Sequence, residues 1–381
     1  MEWWVTLVLI FICLMFLFLI GVPVAFAFLF INIIGVYIFW GGEAGLSQLI
    51  RSIYRSVATF ALLPVPLFVL MGEIMFRSGI APQMMDTLDK WLGRIPGRLS
   101  LLAVGGGTVF STLSGSAMAG CAMLGSVLVP EMEKRGYKKP MSIGPILGSG
   151  GLAIMIPPSA LGVLLASLSR ISVGGMLVAI ILPGIMMAIL YAAYIVIRAW
   201  LQPELAPSYD VIPTPFSEKI ILTCKYVLPL GSLIFLVIGL MFLGIATPTE
   251  SAALGALGCF VLLFIYKGWD LETMVSSVSH TLKITIMMFM IMTGAMAFSQ
   301  ILAFSGASSG LVQLAGTLNL PPVFILIFMQ IVLLFMGVFM EPLTIMMVTL
   351  PIYMPIVKSL GFDPLWFGTI MLINMEMATT T

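Results

Sequence analysis

Ser111-Thr112-Leu113-Ser114-Gly115-Ser116-Ala117-Met118-Ala119-Gly120 sits at the middle of 32 uncharged residues between Arg98 and Glu131. A helix crossing the hydrocarbon core needs about 17–25 predominantly apolar residues, so this stretch is too long for one span and too short for two spans and a turn. Its Ser/Gly-rich centre makes a poor helix and a good turn. Arms of about 14 residues rise roughly 20 Å at 1.5 Å per residue, past the bilayer midplane and short of the far side. Residues 99–131 are therefore expected to form a re-entrant hairpin, with one kinked span as the alternative. The pattern recurs over 321–357, with Glu341-Pro342 at the centre. Irregular backbone at that depth is tolerated only where protein buries it or it lines a wet cavity.

The whole chain agrees with a lipid setting. Of 381 residues 61% are hydrophobic and 9% charged, against about 25% charged in a soluble domain. A net charge of +1 with no basic run argues against a nucleic-acid partner. Cys13, Cys121, Cys224 and Cys259 show no CxxC spacing, which leaves neither a disulfide framework nor a zinc site. A single histidine, His280, leaves most metal and Ser-His schemes without parts. The N-terminal apolar run lacks a basic start and reads as a first span, not a signal peptide. Ordinary spans are expected at 3–20, 22–40, 57–78, 142–166, 172–199, 225–244, 248–266 and 281–303.

The two hairpins belong to a longer repeat. Pro23, Ala27, Leu29, Val36 and Phe39 recur as Pro248, Ala252, Leu254, Val261 and Phe264 at an offset of 225. Ile74, Ser78 and Gly79 recur at 227 as Ile301, Ser305 and Gly306, and Ser114 shifted by 227 is Glu341. One match is cheap in so apolar a chain, but a shared offset along most of it is not. Each half reads span, span, span, hairpin, broken span, span. An odd number of crossings inverts the second half relative to the first. With the N-terminus outside, only Arg51, Arg55, Arg170 and Lys358 of the 17 basic residues fall outside, as the positive-inside rule requires. Hairpin one then enters from the cytoplasm and hairpin two from outside.

One span is interrupted in mid-membrane. Residues 142–166 contain Gly148-Ser149-Gly150-Gly151 and then Ile156-Pro157-Pro158-Ser159. Its counterpart begins near Trp366 and reaches Thr379-Thr380-Thr381, so the chain is expected to lack a counterpart of 158–200. The expected fold is an all-α polytopic membrane protein built from inverted repeats, with two re-entrant hairpins and two broken helices. Residues 1–200 form the first repeat, with its cytoplasmic hairpin at 99–131 and broken span at 142–166. Residues 201–219 form a cytoplasmic linker, and 220–381 the second repeat, with a periplasmic hairpin at 321–357 and a broken span from 366.

Hairpin tips and broken spans leave exposed carbonyls and helix ends near the midplane. Helix N-termini favour anions, and unwound carbonyls with Ser/Thr hydroxyls suit Na⁺. Ser114, Gly115, Ser116, Pro157, Pro158 and Ser159 are expected to build one half-site. Glu341, Pro342, Thr379, Thr380 and Thr381 are expected to build the other, with Ser114, Ser116, Thr379 and Thr380 as Na⁺ ligands and no other cofactor. The alternative is that small residues merely permit close helix packing, above all at Gly105–Gly107.

Ser114-Gly115-Ser116-Ala117, Leu128-Val129-Pro130-Glu131, Ile156-Pro157-Pro158-Ser159 and Thr247-Pro248-Thr249-Glu250-Ser251-Ala252 resemble the large membrane subunit of tripartite ATP-independent periplasmic (TRAP) transporters. Met375-Glu376-Met377-Ala378-Thr379-Thr380-Thr381 resembles the start of that family's second broken helix. The resemblance implies a fixed scaffold and a mobile elevator domain in a bacterial inner membrane, N-terminus periplasmic. It also implies Na⁺-driven import of a carboxylate (a C4-dicarboxylate, sialic acid or similar organic acid). The implied partners are a small four-helix membrane subunit and a periplasmic solute-binding protein.

Acids inside spans default to functional candidates. Glu250 is read as a helix cap, Glu73 as an i,i+4 partner of Arg77, and Glu341 as either a cation ligand or a gate-stabilising group. Glu376 has no assignment, and His280 is placed at the inner interface without a chemical role. An ion channel, an H⁺-coupled organic-anion transporter and an intramembrane hydrolase are the alternative functions. No HExxH or paired-Asp motif supports the last, and no ring of charge or repeated carbonyl filter supports a channel.

Overall fold

A computed structural model of the chain describes residues 2–114, 117–209, 214–317 and 320–378, without the side chains of 111–114, 118 and 119. The described residues are helical or in short connections. Two apolar helices, α1 (Trp3–Leu19) and α2 (Val24–Phe39), open the chain. Each buries one strip (Ile10 and Leu14; Ala27, Ile31 and Val36) and exposes large side chains such as Phe16 and Ile38, as a helix solvated by lipid does. Next come the amphipathic α3 (Glu43–Val57), a 3₁₀ turn at Phe60–Leu62 and α4 (Pro64–Arg77). Pro64 and Pro66 explain the new start, because their missing N–H groups fall in a first turn that would leave them unpaired anyway. After Gly79, at a φ of +73°, the chain enters amphipathic α5 (Ile80–Trp91).

Hairpin one is α6 (Arg98–Ser114) and α7 (Ala117–Lys134). It is followed by α8 (Lys139–Gly151), a 3₁₀ turn at Leu152–Ile154 and α9 (Ala160–Ser169). α10 (Val173–Ala179) and α11 (Ile181–Leu201) complete this half. The second half runs through α12 (Phe216–Leu222), a π turn at Thr223–Val227, α13 (Leu228–Phe242) and α14 (Pro248–Lys267). α15 (Leu271–Phe304) and α16 (Ala307–Thr317) lead to hairpin two, α17 (Pro322–Gly337) with α18 (Pro342–Ser359), and then to α19 (Pro364–Ala378).

The helices recur in register. Shifting the bounds of α7 by 225 gives 342–359, the bounds of α18, and the start of α8 becomes that of α19. Shifted by 227, residues 43–77 become 270–304, so α3 and α4 together match the uninterrupted 34-residue α15. The two prolines of α4 separate the halves here, since Pro64 corresponds to Ile291.

Two expected spans prove longer. The span placed at 225–244 is helical from 216, and that at 281–303 from 271. Apolar runs begin only at 225 and 281, because the helical residues before them include Glu218, Lys219, Glu272 and His280, and a search for such runs starts late. The same search passes over α3, α5 and α16, whose charged or polar faces disguise helices lying between the spans.

α15 is the axis of one cluster, packed against α2, α3 and α4. In lipid this packing gains dispersion contacts and hydrogen bonds, not water exclusion, so close approach matters. Asn32 Nδ2 donates to the Gly294 carbonyl at 2.8 Å, and the Phe28 and Phe298 rings meet edge-on at 5.4 Å. α6 to α9 and α17 to α19 form a second cluster, joined to the first where α4 meets α6 and α9 and where α18 meets α15.

Candidate functional site

Small residues let hairpin one close on the broken span. A Cβ on Gly107 of α6 would lie 2.6 Å from Ser149 Oγ of α8, and one on Gly150 of α8 would overlap Cys121 Sγ of α7. Gly105 faces open space, so the packing role expected of Gly105–Gly107 holds for Gly106 and Gly107 only. Ser100 Oγ pins the base of the hairpin by donating to the Met141 carbonyl at 2.5 Å.

The span then breaks inside protein. Residues 151–160 are all buried, and both α6 and α7 pack on the 3₁₀ turn that begins the break. Pro157 and Pro158, joined by a cis peptide, supply no N–H donors, so the break presents carbonyls in excess. Ser159 repairs part of the damage. Its Oγ donates to the Ile154 carbonyl at 2.8 Å and accepts from Gly162 N at 3.1 Å as the cap of α9. That uses its donor and one lone pair, leaving one lone pair. α11 presses on the same backbone, because a Cβ on Gly184 would lie 2.7 Å from the Met155 carbonyl oxygen.

α19 packs against α8, α9 and the turn at 152–154. Its Glu376 is fully buried and accepts a 2.7 Å hydrogen bond from Tyr191 Oη of α11. The Tyr191 ring also covers Gly148 of α8, where a Cβ would stand 3.3 Å from the ring. One tyrosine thus ties both α8, which leads into the break, and α19 to α11. This pair escapes sequence reading because its members lie 185 residues apart. The only signal is a carboxylate isolated in an apolar run. Hairpin two is fastened to α19 through Asn374 Nδ2, which donates to the Gln330 carbonyl at 2.8 Å and to Gln330 Oε1 at 3.0 Å.

Of the expected site residues, Pro157, Pro158 and Ser159 line this buried break. Glu341 and Pro342 begin α18, with Glu341 exposed and without a side-chain cap bond. Ser114 ends α6, with its side chain outside the described residues, as are Gly115, Ser116, Thr379, Thr380 and Thr381. Elsewhere, Glu250 closes a capping box with Thr247, accepting from Thr247 N at 2.7 Å. Glu73 does meet Arg77, at 3.0 Å, but His280 is not idle: its Nδ1 lies 2.8 Å from the other carboxylate oxygen. The sequence could not bring α15 alongside α4.

Apolar spans, paired hairpins and a span broken within protein define a polytopic membrane permease. The family model described as "Tripartite ATP-independent periplasmic transporter, DctM component" matches residues 11–381, and the chain belongs to that family. It is 31% identical over 330 residues to the C4-dicarboxylate TRAP transporter large permease protein DctM of Pseudomonas aeruginosa, covering 86% of this chain and 76% of that one. It is 27% identical over 355 residues to the ectoine TRAP transporter large permease protein TeaC of Halomonas elongata, covering 92% and 81%. In fold it is similar to the Alcanivorax borkumensis YdaH transporter, with a TM-score of 0.62 at 15% identity over 89% of this chain and 77% of that one.

Proposed function

We propose that this permease imports a small carboxylate, driven by Na⁺, through an elevator movement of hairpins and broken spans against an α15-centred scaffold. The observation that carries this reading is the buried break at 155–159, enclosed by hairpin one, α11 and α19, where two successive prolines leave more carbonyls than N–H donors. Residues 99–130 and 142–166 contain no carboxylate, and a neutral oxygen cage suits a hard monovalent cation. Ser114 and Ser116, with the Ile156–Ser159 segment, would form one ion site, and Glu341 with Thr379, Thr380 and Thr381 its partner. The repeats divide at the 201–219 linker. The relatives' names differ in substrate, and the carboxylate rests on the resemblance noted above. A periplasmic binding protein would deliver the substrate and a small membrane subunit would brace the scaffold, in line with a tripartite family. Membership of a permease family favours this reading over a hydrolase.

Uptake of succinate by the reconstituted complex is expected to fall about tenfold or more when Na⁺ is replaced by choline at fixed pH. Equal uptake in choline would refute Na⁺ coupling and favour the H⁺-coupled alternative. The proposed orientation makes 131–139 cytoplasmic and 305–320 periplasmic. A cysteine at Lys138 should resist an impermeant thiol reagent added outside, and one at Ser309 should react. The reverse pattern would invert the topology.

A further inference from the structure

A cavity with a charged rim lies apart from the break. About 420 Å³ in volume, it is walled by Ser169 and Arg170 at the end of α9, Ser299 and Gln300 on α15, and Met354 and Lys358 on α18. Through Arg170, Met296 and Gln300 it adjoins a cavity of about 360 Å³, which adds Arg55 of α3. The cleft separates the α15 cluster from the cluster that carries the break. All three cations that line it belong to the four residues that the charge distribution puts outside.

Its chemistry is one-sided. Arg55, Arg170 and Lys358 are three positive charges, and no carboxylate lines either cavity. None of the three side chains makes an ion pair or a hydrogen bond among the described residues. Arg170 is also the one non-glycine described residue at positive φ, at 56°. It ends α9 in the left-handed conformation ordinarily left to glycine, its N–H on the Ala166 and Ser167 carbonyls. Glycine would close the helix more easily, so what arginine adds is a guanidinium at the cleft. Ser169 is 4% exposed and its Oγ has no hydrogen-bond partner among the described residues. Gln300 Oε1 accepts from Ser52 Oγ at 2.9 Å, which leaves its amide N–H groups as the unspent function. The groups left over are cations, amide N–H donors and hydroxyls that can turn their O–H toward an anion. Na⁺ would be repelled here, whereas a carboxylate would be drawn in, because low-dielectric walls focus the field of uncompensated charges. Met296, Met347, Leu350 and Met354 add apolar wall for a short carbon chain.

We propose that this cleft is an anion-binding vestibule that holds a small organic carboxylate on its way to the break. The inference rests on the transport reading above, and its test separates the two. In the reconstituted complex, with Cys13, Cys121, Cys224 and Cys259 replaced, Ser299→Cys reports from the cavity wall. An anionic thiosulfonate should modify it about fivefold faster than a cationic one. Combining Arg170→Gly, which suits the positive φ, with Lys358→Gln should erase that preference. Succinate should slow the anionic reagent in vesicles of neutral phosphatidylcholine. A preference that survives removal of both charges would overturn the vestibule. So would protection by added phosphatidylglycerol but not by succinate, which would mark a lipid headgroup site. Where succinate is transported, Arg170→Gly should raise its KM about fivefold with kcat nearly kept, and Arg170→Lys should restore it. Na⁺-driven uptake with unchanged KM and unchanged reagent preference defeats the vestibule alone. Na⁺-independent uptake with the expected reagent preference defeats the coupling alone.

Discussion

Replacing Gly184 by alanine is expected to destabilise the protein by about 1–3 kcal/mol, lowering its unfolding temperature and with it uptake, while the same change at Gly105 leaves both near wild type. The difference lies in what each new methyl meets. At Gly184 it would stand 2.7 Å from the Met155 carbonyl oxygen and 3.1 Å from the Met155 carbonyl carbon. Backbone held between buried proline and 3₁₀ segments cannot swing aside as a side chain can. Overpacking of this kind costs about 1–3 kcal/mol, and 2 kcal/mol corresponds to roughly a thirtyfold change in the ratio of the native break to a rearranged one. At Gly106 the obstacle is the flexible end of Met85, so alanine there should be intermediate. At Gly105 nothing lies within 4 Å, and alanine's better helix propensity is free to act. Uptake into proteoliposomes and thermal unfolding of the purified complex measure the series. A Gly184→Ala protein with full uptake and unchanged unfolding temperature would mean that α11 does not brace the break.

The architecture was legible because it is written in lengths and offsets. The 32 uncharged residues with a small-residue centre mark hairpin one, although the stretch expected to turn, Ser111–Gly120, is helical to Ser114 and again from Ala117. Ile156-Pro157-Pro158-Ser159 marks a break that no helix can absorb. What stayed hidden depends on partners remote in sequence. Tyr191 and Glu376 are ordinary residues until α11 and α19 are laid together. Glu73 looks satisfied by Arg77 alone, and only the packing of α15 on α4 brings His280 to its other oxygen. The cation-lined cleft is hidden for the same reason, since Arg55, Arg170, Gln300 and Lys358 come from four separate helices or their ends. Amphipathic α3 and α5 stay hidden between spans because their polar faces keep them from reading as continuous apolar runs.

Arg98→Ala is expected to be the costliest single change at the root of hairpin one, destabilising the protein by about 3 kcal/mol. Arg98 is the first residue of α6 and only 2% exposed. Its Nε donates to Asp89 Oδ1 at 2.7 Å, its Nη2 lies 2.6 Å from Oδ2, and its Nη1 reaches the Gly93 carbonyl at 3.1 Å. Removing the guanidinium strands a carboxylate that is still 31% exposed, which places the cost at the low end for a buried pair. Arg98→Lys should recover less than half, because an ammonium cannot form the same fork on both oxygens and a carbonyl. The linker shares this anchor. The Tyr209 ring lies 3.6 Å from the Arg135 guanidinium and 5.4 Å from that of Arg98, and Lys138 N donates to the Leu205 carbonyl at 2.9 Å. Tyr209→Ala should therefore cost only about 0.5–1 kcal/mol, the worth of an accessible cation–π contact. Burial first, and the Asp89 charge next, push the Tyr209 phenol above its usual value of 10.0, and burial takes Tyr137 to about 12. A raised phenol pKa contributes stability that is complete below pH 10 and lost as pH climbs through the folded value, so the cost of Arg98→Ala should not vary between pH 6 and 8. Combined with Asp89→Asn, Arg98→Ala should cost clearly less than the sum of the two single changes, as expected for groups that act as a pair. Unfolding temperatures of the four proteins in that cycle decide the matter. Strict additivity, or an Arg98→Ala protein as stable as wild type, would show that hairpin one is rooted elsewhere.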